Sequence, residues 1–228
     1  MATILQIETA TQVCSAAVSR DGETIALKEQ TASNIHAGSL TLFIKAAMDM
    51  AGLRFKDLDA IAVSKGPGSY TGLRIGVSTA KGLCYALDKP LIAIDTLKMM
   101  ADGFLKVNAG YEGLVCPMID ARRMEVFTAV FNAGLQLVRP VEAKIIDAGS
   151  FASELGLAQI TFIGDGAMKC ETVLQQANAI FIPDNFNSAA NMSQLANTAY
   201  SEGQFEDVAY FEPFYLKDFV ATTPKNKV

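Results

Sequence analysis

Two short turns constrain this chain more than any other feature. Thr9-Ala10-Thr11-Gln12 and Asp21-Gly22 divide its beginning into three apolar runs, Ala2 to Glu8, Val13 to Ser19 and Glu23 to Glu29. Asp-Gly is a hairpin signal because both residues tolerate positive φ. Three consecutive antiparallel strands are therefore expected first. Alternation follows. Leu40, Phe43, Ile44, Ala47, Met48 and Ala51 hold helical spacing across Ala37 to Met50, and Gly52 suits the C-terminal cap. Leu58 to Val63 reads as a buried strand. A second helix is expected over Gly72 to Leu87, with Leu73, Gly76, Val77, Ala80, Leu83, Cys84 and Leu87 on one face. Lys89-Pro90 ends it, and Leu91 to Ile94 reads as a further strand.

The join between Val63 and the second helix is Ser64-Lys65-Gly66-Pro67-Gly68-Ser69-Tyr70-Thr71-Gly72. Its glycines and proline make a sharp turn, and Ser69 or Thr71 can cap the helix beyond. Such a junction serves either as a plain connection or where a nucleotide or another backbone comes close. It is neither a Walker loop nor G-x-G-x-x-G.

The second half begins after Ala101 to Gly113, which reads as a loose stretch. Leu114 to Ile119 and Met124 to Asn132 form a hairpin pattern around Asp120-Ala121-Arg122-Arg123, and Val138 to Ile146 adds a strand. Ile160 to Ile163 precedes Gly164-Asp165-Gly166-Ala167. Glu171 to Ala177 reads as helix, Ile180 to Ile182 as a short strand, and Met192, Leu195, Ala196 and Ala199 mark a last helix. Two halves that each open on a hairpin and then add α/β elements suggest a duplication. Lobes over 1–104 and 105–228 are expected, with the aromatic segment Tyr210 to Lys217 packing back on the first. This order is that of the two-lobed, actin-like (hexokinase-type) α/β ATPase fold.

Composition narrows the chemistry. Half of the 228 residues are hydrophobic, and the net charge is −5, a poor balance for gripping phosphate backbones unaided. No apolar run approaches the ~18–20 residues of a membrane span. The opening residues read as a strand rather than a leader, so a cytoplasmic protein with no membrane contact is expected. Cys14, Cys84, Cys116 and Cys170 are widely spaced and include no C-x-x-C pair, the pattern of reduced thiols. His36 is the lone histidine, which excludes a two-histidine metal site.

Several landmarks then point one way. Ile7-Glu8-Thr9-Ala10-Thr11 with Cys14-Ser15-Ala16-Ala17-Val18, the long run Gly66 to Gly76, Asp120-Ala121-Arg122 with Glu125-Val126-Phe127, Gly164-Asp165-Gly166-Ala167, and Pro213-Phe214-Tyr215-Leu216-Lys217 occur in order. Together they resemble the TsaB (YeaZ) family across nearly the whole chain. The resemblance implies a part in making N6-threonylcarbamoyladenosine at position 37 of tRNAs that read codons beginning with A. It implies a non-catalytic scaffold for a TsaD-type catalytic subunit, joined by a TsaE-type ATPase. It also implies a homodimer when the chain is alone, and tRNA reached only through the complex. A small actin-like sugar or acetate kinase and a metallopeptidase are the alternatives.

The resemblance also assigns positions. The catalytic relative places a His-x-x-x-His pair where this chain has His36 to Leu40, so no catalytic or metal residue is expected here. The partner is expected on the two first-lobe helices, through His36, Leu40, Phe43, Ala47, Gly76, Ala80 and Leu83. A degenerate nucleotide cleft is expected around Glu8, Thr9, Thr11, Gly66, Gly68, Ser69, Arg122, Gly164 and Gly166, binding ATP at most weakly or only in the complex. Glu8 stands where the family usually has Asp, and its extra methylene displaces the carboxylate from phosphotransfer geometry.

Overall fold

The structure is a computed structural model that describes residues 2–217. β1 (Thr3–Glu8), β2 (Val13–Arg20) and β3 (Glu23–Thr31) form the antiparallel run, with Asp21 and Gly22 at φ 50° and 85° in the tight turn. β4 (Ala60–Gly66) and β5 (Leu91–Asp95) extend the sheet in parallel beside β1, giving the order β3-β2-β1-β4-β5. Parallel neighbours need crossovers, and two helices supply them: α1 (His36–Ala51) and α2 (Tyr70–Leu87).

A second sheet repeats the plan. β6 (Leu114–Asp120), β7 (Glu125–Phe131) and β8 (Leu137–Ile145) are antiparallel; β9 (Ile160–Ile163) and β10 (Ala179–Phe181) add in parallel on the far side of β6. Its order, β10-β9-β6-β7-β8, is that of the first sheet counted from its own first strand. The chain is thus a duplicated, two-lobed actin-like α/β fold. The copies differ in their crossovers. Where the first lobe has two long helices, the second has only α4 (Ala152–Leu155) and a 3-10 turn, Met168–Cys170.

Side-chain alternation sorts the strands onto two layers. In β4, Ala60 and Ala62 join a core shared by both lobes, while Ile61 and Val63 face the layer beneath α1 and α2. The shared core is closed by α3 (Thr96–Val107) and α5 (Ser193–Ser201), through Leu97, Met100, Phe104, Ala196 and Ala199, with Met192 just before α5. Its membership runs continuously from Ile4 to Phe131, so the lobes are fused rather than strung together.

Two segments depart from the sequence expectation. Most of the stretch read as loose, Ala101 to Gly113, lies in α3. The Asp95 side chain caps this helix by accepting from Lys98 N at 3.0 Å, and the i, i+3, i+4, i+7 face Leu97, Met100, Ala101, Phe104 is buried. Gly103 interrupts the pattern because Asn191 packs against its backbone, leaving no room for a Cβ. Conversely, Glu171 to Ala177 is not helical but a series of turns after Cys170. Only Leu174 in that stretch is fully buried, with Val173 half-buried beside it, too little apolar surface to hold a short helix.

Candidate functional site

The first turn and the start of α2 form one packed joint. Gly72 and Gly76, four residues apart, share one side of α2, and Gly68 lies just before its N-cap Ser69. The β1–β2 turn lies on that side. A Cβ at Gly68 would sit 2.7 Å from the Ala10 Cβ, and one at Gly72 or Gly76 would come closer than 3.0 Å to the carbonyl or hydroxyl oxygen of Thr9. Hydrogen bonds fasten the contact: Ser69 N donates to Ala10 O at 2.7 Å, and Thr9 Oγ1 donates to Gly72 O at 2.8 Å. Ser69 Oγ caps the helix by accepting from Gly72 N at 3.2 Å. Thr11 Oγ1 accepts from Val13 N and shapes the same turn. The glycines bring two parts of this chain together and leave no gap for a phosphate.

Glu8 ends β1 directly behind this joint and is fully buried. One carboxylate oxygen accepts from Ala10 N, while Oε2 has no partner among the described residues, nor has the nearby Ser64 Oγ. Burial pushes its pKa up to about 7, against the lowering effect of its backbone hydrogen bonds. A carboxyl so placed cannot reach a ligand in solvent.

The second lobe answers with its own glycines. Gly164, at φ 98°, and Gly166 lie against β6; a Cβ on Gly166 would stand 2.9 Å from the Ile119 carbonyl carbon. Asp165 reaches back to accept from Asp120 N at 3.0 Å, and burial raises its pKa. Lys169 binds the Asp120 carboxylate and donates to Glu125 O at 2.7 Å. Arg122 joins this group only through its backbone, its N–H donating to Asp120 Oδ1 at 2.8 Å, and the residue is exposed at the tip of the β6–β7 connection.

Between the lobes runs the chain's own tail. Lys81 of α2 donates to the carbonyls of Ala209 (3.2 Å) and Phe211 (2.9 Å), and Tyr215 packs on Tyr70 with ring centroids 4.8 Å apart. Phe214 N donates to Lys65 O at 2.7 Å, and its carbonyl lies over Gly66, which is at φ 113° and has no space for a Cβ. Lys217 then pairs with Glu125 in the second lobe. This strap crosses the carboxyl end of β4, the edge where open α/β sheets take ligands. A groove of about 370 Å³ remains between α2 and the strap, lined in part by Tyr70, Arg74, Ser78, Lys81 and Tyr215.

The helix-pair residues require a correction. Leu40, Phe43 and Ala47 of α1 and Gly76 and Ala80 of α2 are buried in this chain, either beneath the helices or against Thr9, so they are not a surface for a partner. Leu83 is half-buried on the same core. His36 is also buried, with Nε2 3.1 Å from Val13 O. The outward faces carry Gly38, Leu42, Ala46 and Met50 on α1, and Gly82, Tyr85 and Ala86 on α2. Leu42 and Met50 are each 63% exposed and Tyr85 87%. Among the described residues no group of three His, Cys, Asp or Glu side chains is placed to hold a metal, and no helix is long and apolar enough to cross a membrane.

Comparison with known proteins agrees with this architecture. The family model described as TsaD, tRNA N6-adenosine threonylcarbamoyltransferase, matches residues 28–225. The tRNA threonylcarbamoyladenosine biosynthesis protein TsaB of Escherichia coli is 28% identical over 227 residues, covering 96% of both chains. The crystal structure of YeaZ from Pseudomonas aeruginosa superposes with a TM-score of 0.83 at 26% identity, covering 95% of this chain and 100% of that one. A more distant structure, the activator of the 2-hydroxyisocaproyl-CoA dehydratase of Clostridium difficile with bound ADPNP, shares the fold alone; it has a TM-score of 0.52 at 10% identity, over 89% of this chain and 97% of its own. By the extent of the family match and by its likeness to these relatives, the chain belongs to the threonylcarbamoyltransferase family, on its TsaB (YeaZ) branch.

Proposed function

We propose that this chain is a non-catalytic scaffold subunit in the formation of N6-threonylcarbamoyladenosine on tRNA, supporting a TsaD-type catalytic subunit together with a TsaE-type ATPase. The observation that carries this reading is the closed joint between Thr9-Ala10 and Gly68, Gly72 and Gly76. A kinase of this fold needs a carboxylate open to a metal–phosphate at that turn, and Glu8 is sealed behind it. ATP is therefore held by this chain at most weakly or only within the complex. On its own the chain pairs with a second copy, and it works in the cytosol, reaching tRNA chiefly through its partner.

The partner docks on the outward faces of α1 and α2. Gly38, Leu42, Ala46 and Met50 recur every four residues; all but the half-buried Ala46 lie exposed, as do Gly82 and Ala86 on α2. Small residues let a second helix pair approach closely, and Leu42 and Met50 supply apolar area to bury. The test is reconstitution of threonylcarbamoyl transfer to unmodified tRNA, using the TsaD-type and TsaE-type partners and the adenylate-forming enzyme, with and without this chain. Transfer should require it. Transfer that proceeds equally well without it would remove the scaffold role.

A further inference from the structure

The connection between β6 and β7 contains two consecutive arginines, Arg122 and Arg123, whose backbones lie at φ 74° and 51°. Left-handed backbone is strained for a residue with a Cβ, and Gly or Asn ordinarily fills such positions. Here both are long cations, and both are exposed.

The carboxylates around them are already engaged. Lys169 takes Asp120, Lys217 takes Glu125, and Asp165 accepts from the Asp120 backbone. The Arg122 backbone N–H donates to Asp120 Oδ1 at 2.8 Å and its carbonyl accepts from Glu125 N at 3.1 Å, but among the described residues neither the Arg122 nor the Arg123 guanidinium makes a hydrogen bond or ion pair. These groups comprise four cations and three carboxylates, and burial holds one of the three, Asp165, toward its neutral form. A locally basic tip thus projects from a chain whose net charge is −5.

We propose that Arg122 and Arg123 form an anion-binding tip that contacts two phosphates of an RNA backbone. This rests on the reading of the chain as part of a tRNA-modifying assembly, and adds a direct local contact to it. Guanidinium forks match phosphate oxygens in bidentate geometry, and arms rooted ~3.8 Å apart can reach successive phosphates. The connection itself offers no large exposed apolar side chain. A protein contact needs such a side chain at its centre, whereas a phosphate contact needs only donors.

The test compares the wild-type complex of this chain and its TsaD-type partner with the Arg122→Asn/Arg123→Gly variant. Asn and Gly are at ease at positive φ, so the variant should fold at least as well, as a thermal melt will report. Binding of unmodified tRNA is followed by fluorescence anisotropy over a range of potassium chloride concentrations. At about 0.7–0.9 per phosphate, the slope of log K against log salt should become shallower by roughly 1.4–1.8, a loss of about 25- to 60-fold in affinity at 0.1 M salt. Unchanged slope and affinity in an intact complex would overturn the proposal. So would a loss of co-elution with the partner, which makes the tip a protein contact, or a loss confined to ATP binding. If the wild-type chains themselves neither co-elute nor bind tRNA, the assembly reading fails, and this inference with it; that failure is visible without any variant.

Discussion

Replacing Glu8 with Gln should change how stability depends on pH. In the folded chain burial pushes the Glu8 carboxyl up to about 7 from its ordinary 4.5, outweighing the lowering influence of its backbone hydrogen bonds and of the nearby Ser64 hydroxyl. A carboxyl whose folded pKa is raised binds its proton more tightly when folded. Its contribution to stability is therefore fully present below about pH 4.5 and is lost as pH rises through about 7. The gap corresponds to roughly 3 kcal/mol. Gln fills the same space without titrating, and its amide can meet Ala10 N as acceptor and Ser64 as donor. Urea unfolding from about pH 5 to pH 8.5 should show the wild type losing roughly 3 kcal/mol relative to Glu8→Gln. In thermal melts that is a separation growing by about 6–12 °C. Asp95 and Asp165, whose pKa values burial also raises, are common to both proteins and cancel in the comparison. Parallel curves across this range would refute the reasoning, because they would mean that Glu8 never changes protonation there.

Other perturbations separate surface from core. Leu42→Asp should leave the unfolding midpoint within about 0.5 kcal/mol while abolishing co-elution with the catalytic partner; Phe43→Asp, one residue on but buried, should cost more than about 3 kcal/mol and fail to fold well. A Leu42→Asp chain that still co-elutes normally would move the interface elsewhere. Lys81→Met removes two hydrogen bonds to the strap, so chymotrypsin should cut at Phe211 to Tyr215 roughly tenfold faster, with the midpoint of global unfolding little changed. Thiol titration should find all four cysteines silent in the native protein near pH 8 and reactive in denaturant, since burial raises Cys14 to about 11 and Cys84 and Cys116 to about 12. A fast native thiol would contradict that packing.

The strand order was readable because its signals are local. Asp21-Gly22 and the alternation on either side of it define the opening hairpins without reference to anything distant. The helix faces were only half readable. Periodicity located Leu40, Phe43 and Ala47 on one stripe of α1, yet the same stripe would serve a partner or the chain's own sheet, and only the folded chain decides that the sheet has it. The glycine run was harder still. Its spacing signals close approach, but what approaches is Thr9 and Ala10, some sixty residues upstream, a pairing that no local pattern records. α3 was missed because Gly103 interrupts an otherwise good helical face for the sake of Asn191, again a distant neighbour.

The joint between the first turn and α2 also limits how this chain can evolve. At Gly76 the obstruction is the Thr9 hydroxyl, with the Thr9 Cβ farther off at 3.4 Å. A Gly76→Ala change can therefore be accommodated by Thr9→Ala, at the expense of the bond from Thr9 Oγ1 to Gly72 O. At Gly72 the obstruction is the Thr9 carbonyl, which every amino acid carries. No substitution at position 9 can rescue Gly72→Ala. One glycine of the ladder is thus free to drift in company with a partner, while its neighbour one turn earlier is fixed by backbone alone. Double-mutant cycles should find strong epistasis between Thr9 and Gly76 and none that relieves Gly72.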